Sequence, residues 1–134
     1  MTTKNKRVAI IASNGGLETA YKVLNIATAA AALDAEVAIF FTFEGLSIIH
    51  KDSEQMLQLK PGNEGMAEGF KRANVPSVKE LIELAKETGV RMIGCQMTID
   101  VMGLEKEHFI DGIELGGAAT FLDYAFDAEV TLNF

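Results

Sequence analysis

Apolar residues in this chain form short continuous runs, and amphipathic or turn-forming segments separate the runs. Three of the runs, at residues 7–12, 36–42 and 91–94, lack the alternation of a half-exposed strand and predict strands buried on both faces. Residues 17–33 carry apolar side chains at helical spacing and many alanines, which predicts a helix packed closely against a sheet. A further strand is predicted at residues 128–134.

The second half of the chain has clear helix signals. Ser77 and Glu80 have the spacing of a capping box directly after Pro76, and Gly89 is placed to end the helix that follows. Another helix is predicted at residues 115–126. Strands and helices that alternate in this way predict an α/β fold, with a mainly parallel sheet and helices on both faces.

The middle of the chain is less regular. Short helical segments are predicted at residues 46–49, 56–59 and 66–71, with a break at Pro61 and Gly62. A long irregular stretch in a small domain is more often a functional or interface loop than a simple connection.

Composition narrows the class of protein. A chain of 134 residues with 49% hydrophobic and 23% charged residues is expected to form a single globular domain over residues 1–134. The net charge of −7 argues against a nucleic-acid partner. We expect no signal peptide and no membrane span, since the apolar runs are too short. One cysteine rules out a disulfide within the chain, and together these features predict a cytoplasmic protein.

That cysteine, Cys95, is the most informative residue. It follows a predicted strand and precedes a short predicted helix that ends at Gly103. The carboxyl edge of a parallel sheet is where open α/β proteins place their ligands, and the amides that open a helix favour a thiolate. A buried, inert cysteine is the alternative, because free cysteine is among the most buried residue types.

Other candidates lie around the same predicted edge. The turn after the first strand contains Asn14 and Gly15 and could bind an anion with its amides, or could simply be a tight turn. His50 could overhang Cys95 and carry a proton. Asp100 could position a proton or a partner's amine. Alternatively, its charge could have the purely structural role of interacting favourably with the helix dipole. His108 lies in a charged run and is expected to be solvated. No metal site is expected from two histidines and one cysteine.

Several segments resemble those of a known family. They are residues 95–103 (which run from Cys95 to Gly103), residues 40–46, residues 75–89 and residues 110–121. Together they are similar to DsrE/DsrF/DrsH-like proteins, and most of all to the DsrE-like subgroup that is often loosely labelled a peroxiredoxin family. The resemblance extends over nearly the whole chain, and the cysteine motif is its most specific part.

The resemblance implies a flavodoxin-like three-layer sandwich with four to five strands, and a homo-oligomer. It also implies a sulfur relay, in which Cys95 holds sulfane sulfur as a persulfide and Thr98 of the same motif is a neighbour. The protein would then be a cytoplasmic sulfur carrier or a sulfurtransferase without a cofactor. Its partners would be sulfur donor and acceptor proteins such as TusA-like carriers, with no nucleic acid or membrane involved.

Two other functions stay open on the sequence. A thiol peroxidase would need a resolving thiol from outside the chain, since the chain has no second cysteine. A non-catalytic ligand-binding or scaffold module would use the sheet edge without thiol chemistry. The apolar segment at residues 46–70 could serve as an oligomer interface in any of these cases.

Overall fold

Over residues 6–134, five parallel strands form the centre of the protein. The computed structural model describes residues 6–134. The strands are β1 (Arg7–Ala12), β2 (Glu36–Phe41), β3 (Arg91–Cys95), β4 (Ile113–Gly116) and β5 (Val130–Asn133). They lie in the order β4-β3-β2-β1-β5, and each neighbouring pair is parallel. The structure confirms the predicted α/β fold.

In the described part of the chain, six α-helices connect and cover the strands. They are α1 (Leu17–Ala32), α2 (Ser53–Met56), α3 (Met66–Arg72), α4 (Val78–Glu87), α5 (Gln96–Val101) and α6 (Ala118–Ala125). Short 3-10 helices occupy Phe43–Ile49 and Lys106–His108. Within the described residues, none of the helices is both long and apolar enough to cross a membrane.

The strand order determines which helices share a face. From β1 to β4 the chain steps across the sheet in one direction, and the last connection returns past β1 to β5. Because crossovers between parallel strands are right-handed, the first connections lie on one face and the last lies on the other. We call the face under α1 and α4 the major face, and the face under α6 the minor face.

The two faces bury different sets of side chains. On the major face, Ile10, Ile39 and Met92 pack in one large cluster with residues of α1 and α4. The minor-face cluster is smaller and contains Ala9, Ala38, Phe40, Ile93, Cys95, Phe121 and Tyr124. Successive residues of a strand point to opposite faces, so Cys95 shares the minor face with Ile93, two residues earlier.

Most predicted elements are confirmed at or close to their predicted bounds. The capping box is present at the start of α4, where Ser77 Oγ accepts a hydrogen bond from the Glu80 amide at 3.1 Å. Gly89 follows α4 with a φ of +81°, as expected for a residue that ends a helix.

Two predictions were wrong in their bounds. The helix predicted at residues 115–126 begins at Ala118, and Ile113–Gly116 is a strand instead, because this segment pairs with β3 at the edge of the sheet. The helix predicted at residues 56–59 ends at Met56. Leu57 is buried in the major-face core, and the Gln58 carbonyl accepts a hydrogen bond from the Leu17 amide, so the backbone leaves the helix there.

Gly45 brings the segment after β2 against the end of β1. A Cβ atom at this position would lie 1.9 Å from the Ala12 carbonyl oxygen and 2.6 Å from its carbon. The obstacle is the backbone at the carboxyl end of β1, which a rotamer change cannot remove. Gly45 therefore permits the close approach that fixes where the chain goes after β2.

We expect Gly45→Ala to lower the free energy of unfolding by at least about 2 kcal/mol, because the methyl group forces backbone atoms apart. Urea denaturation measures the change. Gly65→Ala is the matched control, since a Cβ atom at Gly65 meets nothing within 4 Å and its φ is −64°. The free energy of unfolding of that control should stay within about 0.5 kcal/mol of the wild-type value. If the two variants unfold at the same urea concentration, the methyl group at position 45 meets no obstacle and the close approach at Gly45 is contradicted.

Candidate functional site

Cys95 lies at the junction predicted for it, as the last residue of β3 and the N-cap of α5. The pairing of Phe41 with Gly94 brings the next residue of the chain, Thr42, to one side of Cys95. On the other side, Cys95 is paired directly with Gly116. The residues Thr42, Cys95 and Gly116 thus form a row at the carboxyl edge of the sheet, and we call them the edge row.

The Cys95 thiol is nearly buried, with 4% of the residue exposed. This burial raises the pKa of the thiol, but hydrogen bonds from the hydroxyl and amide of Thr98, the Thr42 hydroxyl and the Met97 amide lower it further than burial raises it. The net result is a pKa of Cys95 below its ordinary value. Such a thiol is more ionised at neutral pH, and the thiolate is the nucleophilic form.

Thr98 holds the site together. It is fully buried, its hydroxyl lies 3.2 Å from the Thr42 hydroxyl, and it accepts a 3.4 Å hydrogen bond from the Phe43 amide. It therefore connects α5 to the segment after β2. The sequence prediction included Thr98 and missed Thr42. The signal for Thr42 was available, since it is the first polar residue after the apolar part of a strand neighbouring the Cys95 strand.

Asp100 lies on the exposed side of α5. Its carboxylate accepts a hydrogen bond of 2.8 Å from the Gln96 side chain, one helical turn earlier. The hydrogen bonds that act on the thiol come from other residues, named above. The structure thus gives Asp100 a local helical partner.

Two other predicted neighbours, Gly15 and His50, line an apolar cavity of about 390 Å³ together with Phe43 and Met102. Cys95 is not among the residues that line this cavity. His50 Nδ1 accepts a hydrogen bond of 2.9 Å from the Asp52 amide, and its ring packs edge-on against Phe109. The structure therefore brings Gly15 and His50 together but does not place them on the thiol.

Asn14 borders a separate, more polar cavity with Lys22 and Lys60. The start of α1 beside it already has protein partners. The Leu17 amide donates to the Gln58 carbonyl at 3.0 Å, and Glu18 accepts hydrogen bonds from the Asn63 side chain and the Lys60 amide, both at 2.9 Å. These bonds lower the pKa of Glu18. The turn that was a candidate anion site is thus tied to the loop after α2.

Across residues 6–134, no group of three or more histidine, cysteine, aspartate or glutamate side chains is arranged to hold a metal ion. The chemistry that the site offers is that of one acidified thiol held by hydroxyl and amide donors. The fold and this site together define a class, the small open α/β proteins with a single thiol at a strand-to-helix junction.

The chain belongs to the DsrE/DsrF/DrsH-like family, whose sequence profile matches residues 4–70 and 62–133. It is 36% identical to "Sulfur carrier protein DsrE2" of Allochromatium vinosum, over 96% of this chain and 98% of that protein. The folds of two solved structures are similar. The E. coli YchN protein has a TM-score of 0.65 at 18% identity, over 96% of this chain and 99% of its own. MTH1491 from Methanobacterium thermoautotrophicum has a TM-score of 0.69 at 13% identity, over 97% of this chain and 100% of its own.

Replacing Thr98 tests the origin of the lowered pKa. Thr98→Val keeps the shape but removes the hydroxyl, so we expect the pKa of Cys95 to rise and the thiolate fraction at neutral pH to fall. The rate of alkylation by iodoacetamide, measured against pH, should reach its half-maximum at a higher pH than in wild type. Thr98→Ser, which keeps the hydroxyl, should stay closer to wild type. Coinciding profiles for the valine variant and wild type would show that the hydroxyl does not hold the thiolate.

Proposed function

We propose that this protein carries sulfane sulfur as a persulfide on Cys95 and passes it to an acceptor. The observation on which the proposal rests is the position of this thiol at the carboxyl edge of the sheet and at the start of α5. The hydroxyl and amide donors around it there lower its pKa. The relative named as a sulfur carrier protein, similar over nearly its whole length, supports the same role. The chain has no second cysteine, and carriage of one sulfur atom needs none.

The transfer needs no external oxidant or reductant. The Cys95 thiolate attacks the outer sulfur of a donor persulfide, R–S–SH. The bond between the two donor sulfurs breaks, and the donor leaves as the thiolate R–S⁻. Cys95 then holds the sulfur as Cys95–S–SH. In the second step an acceptor thiolate attacks that outer sulfur, and Cys95 leaves as a thiolate.

The same donors serve both steps. In the first step, the Thr98 and Thr42 hydroxyls and the Met97 amide stabilise the attacking thiolate. In the second step Cys95 is the leaving group, and a thiol of lower pKa leaves faster. A thiol whose pKa is lowered without a dedicated base suits a carrier that must both load and release sulfur.

The proposed partners are sulfur donor and acceptor proteins, for example TusA-like carriers. The proposed location is a reducing compartment such as the cytoplasm. We also propose a homo-oligomer. Within residues 6–134, the minor face is covered by one eight-residue helix, α6. Its outer side exposes Leu122 at 46%, and Phe126 at its C-terminal cap is 79% exposed. Apolar side chains exposed one helical turn apart are suited to burial against another subunit.

Intact-mass analysis tests persulfide formation. After incubation with inorganic polysulfide, the wild-type protein should gain about 32 Da for each sulfur atom, and a reducing thiol should remove the added mass. Cys95→Ser is the matched control and should gain nothing. If wild type acquires no adduct, or if Cys95→Ser acquires the same adduct, Cys95 is not the carrier. A thiol peroxidase would instead consume hydrogen peroxide in the presence of an external thiol.

A further inference from the structure

An apolar cavity lies at the carboxyl edge of the sheet, close to the groups that hold the thiol. It has a volume of about 390 Å³ and is formed by the turn after β1, the segment after β2 and residues that follow α5. Phe43 and Met102 line it from two of these segments. The Phe43 amide donates to Thr98 Oγ1 at 3.4 Å, and the Thr98 hydroxyl in turn is bonded to the Cys95 sulfur. The wall of the cavity is therefore two hydrogen bonds away from the thiol.

Phe43 has a backbone conformation that its residue type rarely adopts. Its φ is +49°, in the left-handed region, and among the described residues the other non-glycine positions with a positive φ are Asp34 and Asn74. Aspartate and asparagine tolerate this region, whereas phenylalanine is strained in it. Burial does not offset the strain, since 53% of Phe43 is exposed. A strained backbone that presents an aromatic side chain at a cavity points to a binding role for that side chain.

Exposed apolar side chains continue from the cavity onto α5. Met97 and Val101 lie one helical turn apart and are 58% and 76% exposed, although neither of them lines the cavity. Val101 directly precedes Met102, which does line it. We call the exposed apolar residues at the cavity and on α5 the docking patch, namely Phe43, Met56, Met97, Val101 and Met102. A small molecule confined to the cavity would leave the α5 part in water, so the docking patch fits a protein segment instead.

The charged groups on the docking patch are carboxylates. Glu44 lines the cavity, and Asp100 lies on α5 next to Val101. Across residues 6–134 neither carboxylate forms an ion pair, although Glu44 also borders the polar cavity that contains Lys22 and Lys60. Two copies of this chain that met through the docking patch would bring these like charges together, which is unfavourable. A segment with lysine or arginine beside its apolar side chains is complementary to the patch.

We propose that sulfur donors and acceptors bind the docking patch through a segment that inserts an apolar side chain into the cavity and places lysine or arginine residues against Glu44 and Asp100. An apolar anchor in a pocket dominates the affinity of many interfaces, and complementary charge speeds the encounter. Flexible methionine side chains let one surface adapt to more than one partner. The role of the partner as donor or acceptor rests on the proposed function, whereas the surface and the chemistry of the segment do not.

Fluorescence anisotropy of a labelled synthetic peptide, in which leucine and lysine alternate, tests the docking patch. This peptide should bind wild type, and added salt should weaken the binding because it screens exposed charges. Peptides with glutamate in place of lysine, or serine in place of leucine, should bind at least about tenfold more weakly. Met102→Ser in the cavity, Val101→Ser on α5 and Glu44→Gln should each weaken binding of the leucine–lysine peptide by about threefold or more.

Two substitutions on α4 are the matched controls. Leu84→Ser removes an apolar side chain about as exposed as Met102, and Glu87→Gln removes one negative charge, as Glu44→Gln does. Both should bind the peptide as wild type does, and thermal midpoints would confirm that each variant is folded. If the controls weaken binding as much as the patch variants do, the peptide responds only to the net charge, and the docking patch is overturned. It is also overturned if Val101→Ser binds as wild type does, since the occupant is then confined to the cavity.

Loading of wild type with polysulfide separates the docking patch from the proposed function. If the peptide binds as expected but Cys95 acquires no sulfur, the docking patch is supported as a protein-binding surface, and the role of its partner as a sulfur donor or acceptor fails together with the proposed function. If Cys95 acquires sulfur but the leucine–lysine peptide binds no better than the other two peptides, the docking patch is overturned while the proposed function stands.

Discussion

The parallel register of β3 between β2 and β4 is the constraint on which the site depends. It places Thr42 and Gly116 on either side of Cys95, and a slip of one residue would turn the thiol to the opposite face. Gly94 contributes to the same arrangement. A Cβ atom there would lie 3.3 Å from the Ile99 side chain, so this glycine lets α5 fold back over the end of β3. That return of the chain brings Thr98 to the sulfur.

Opposing effects determine the state of the thiol. Burial favours the neutral form, and the surrounding hydroxyl and amide donors favour the thiolate more strongly. The folded-state pKa of Cys95 therefore lies below the unfolded value. The ionised thiol stabilises the fold at pH values above the unfolded pKa, and this contribution is lost as the pH falls through the folded pKa. The fold thus favours the charge state that a nucleophilic sulfur needs.

The position of Cys95 was predictable because a continuous apolar run followed by a short helix identifies a strand end without knowledge of its neighbours. Thr42 and Gly116 were harder to recognise, since their roles come from the register of strands that are distant in sequence. The strand Ile113–Gly116 was missed for a related reason. It has four residues at the sheet edge and merges into an apolar helical pattern, so pairing with β3 rather than local sequence decides its structure.

The reversal of strand order determines how many helices cover the face of the sheet on which the thiol lies. The connections from β1 to β4 lie on the major face, so that face has several helices. Among the described residues, α6 is the helix that covers the minor face. The sheet therefore lies between the thiol and the larger, major-face cluster of buried side chains. A reactive group on the heavily covered face would need an opening through a packed core. On the minor face the thiol lies in the smaller of the two clusters, at the end of its strand, and the major-face core can stay closed.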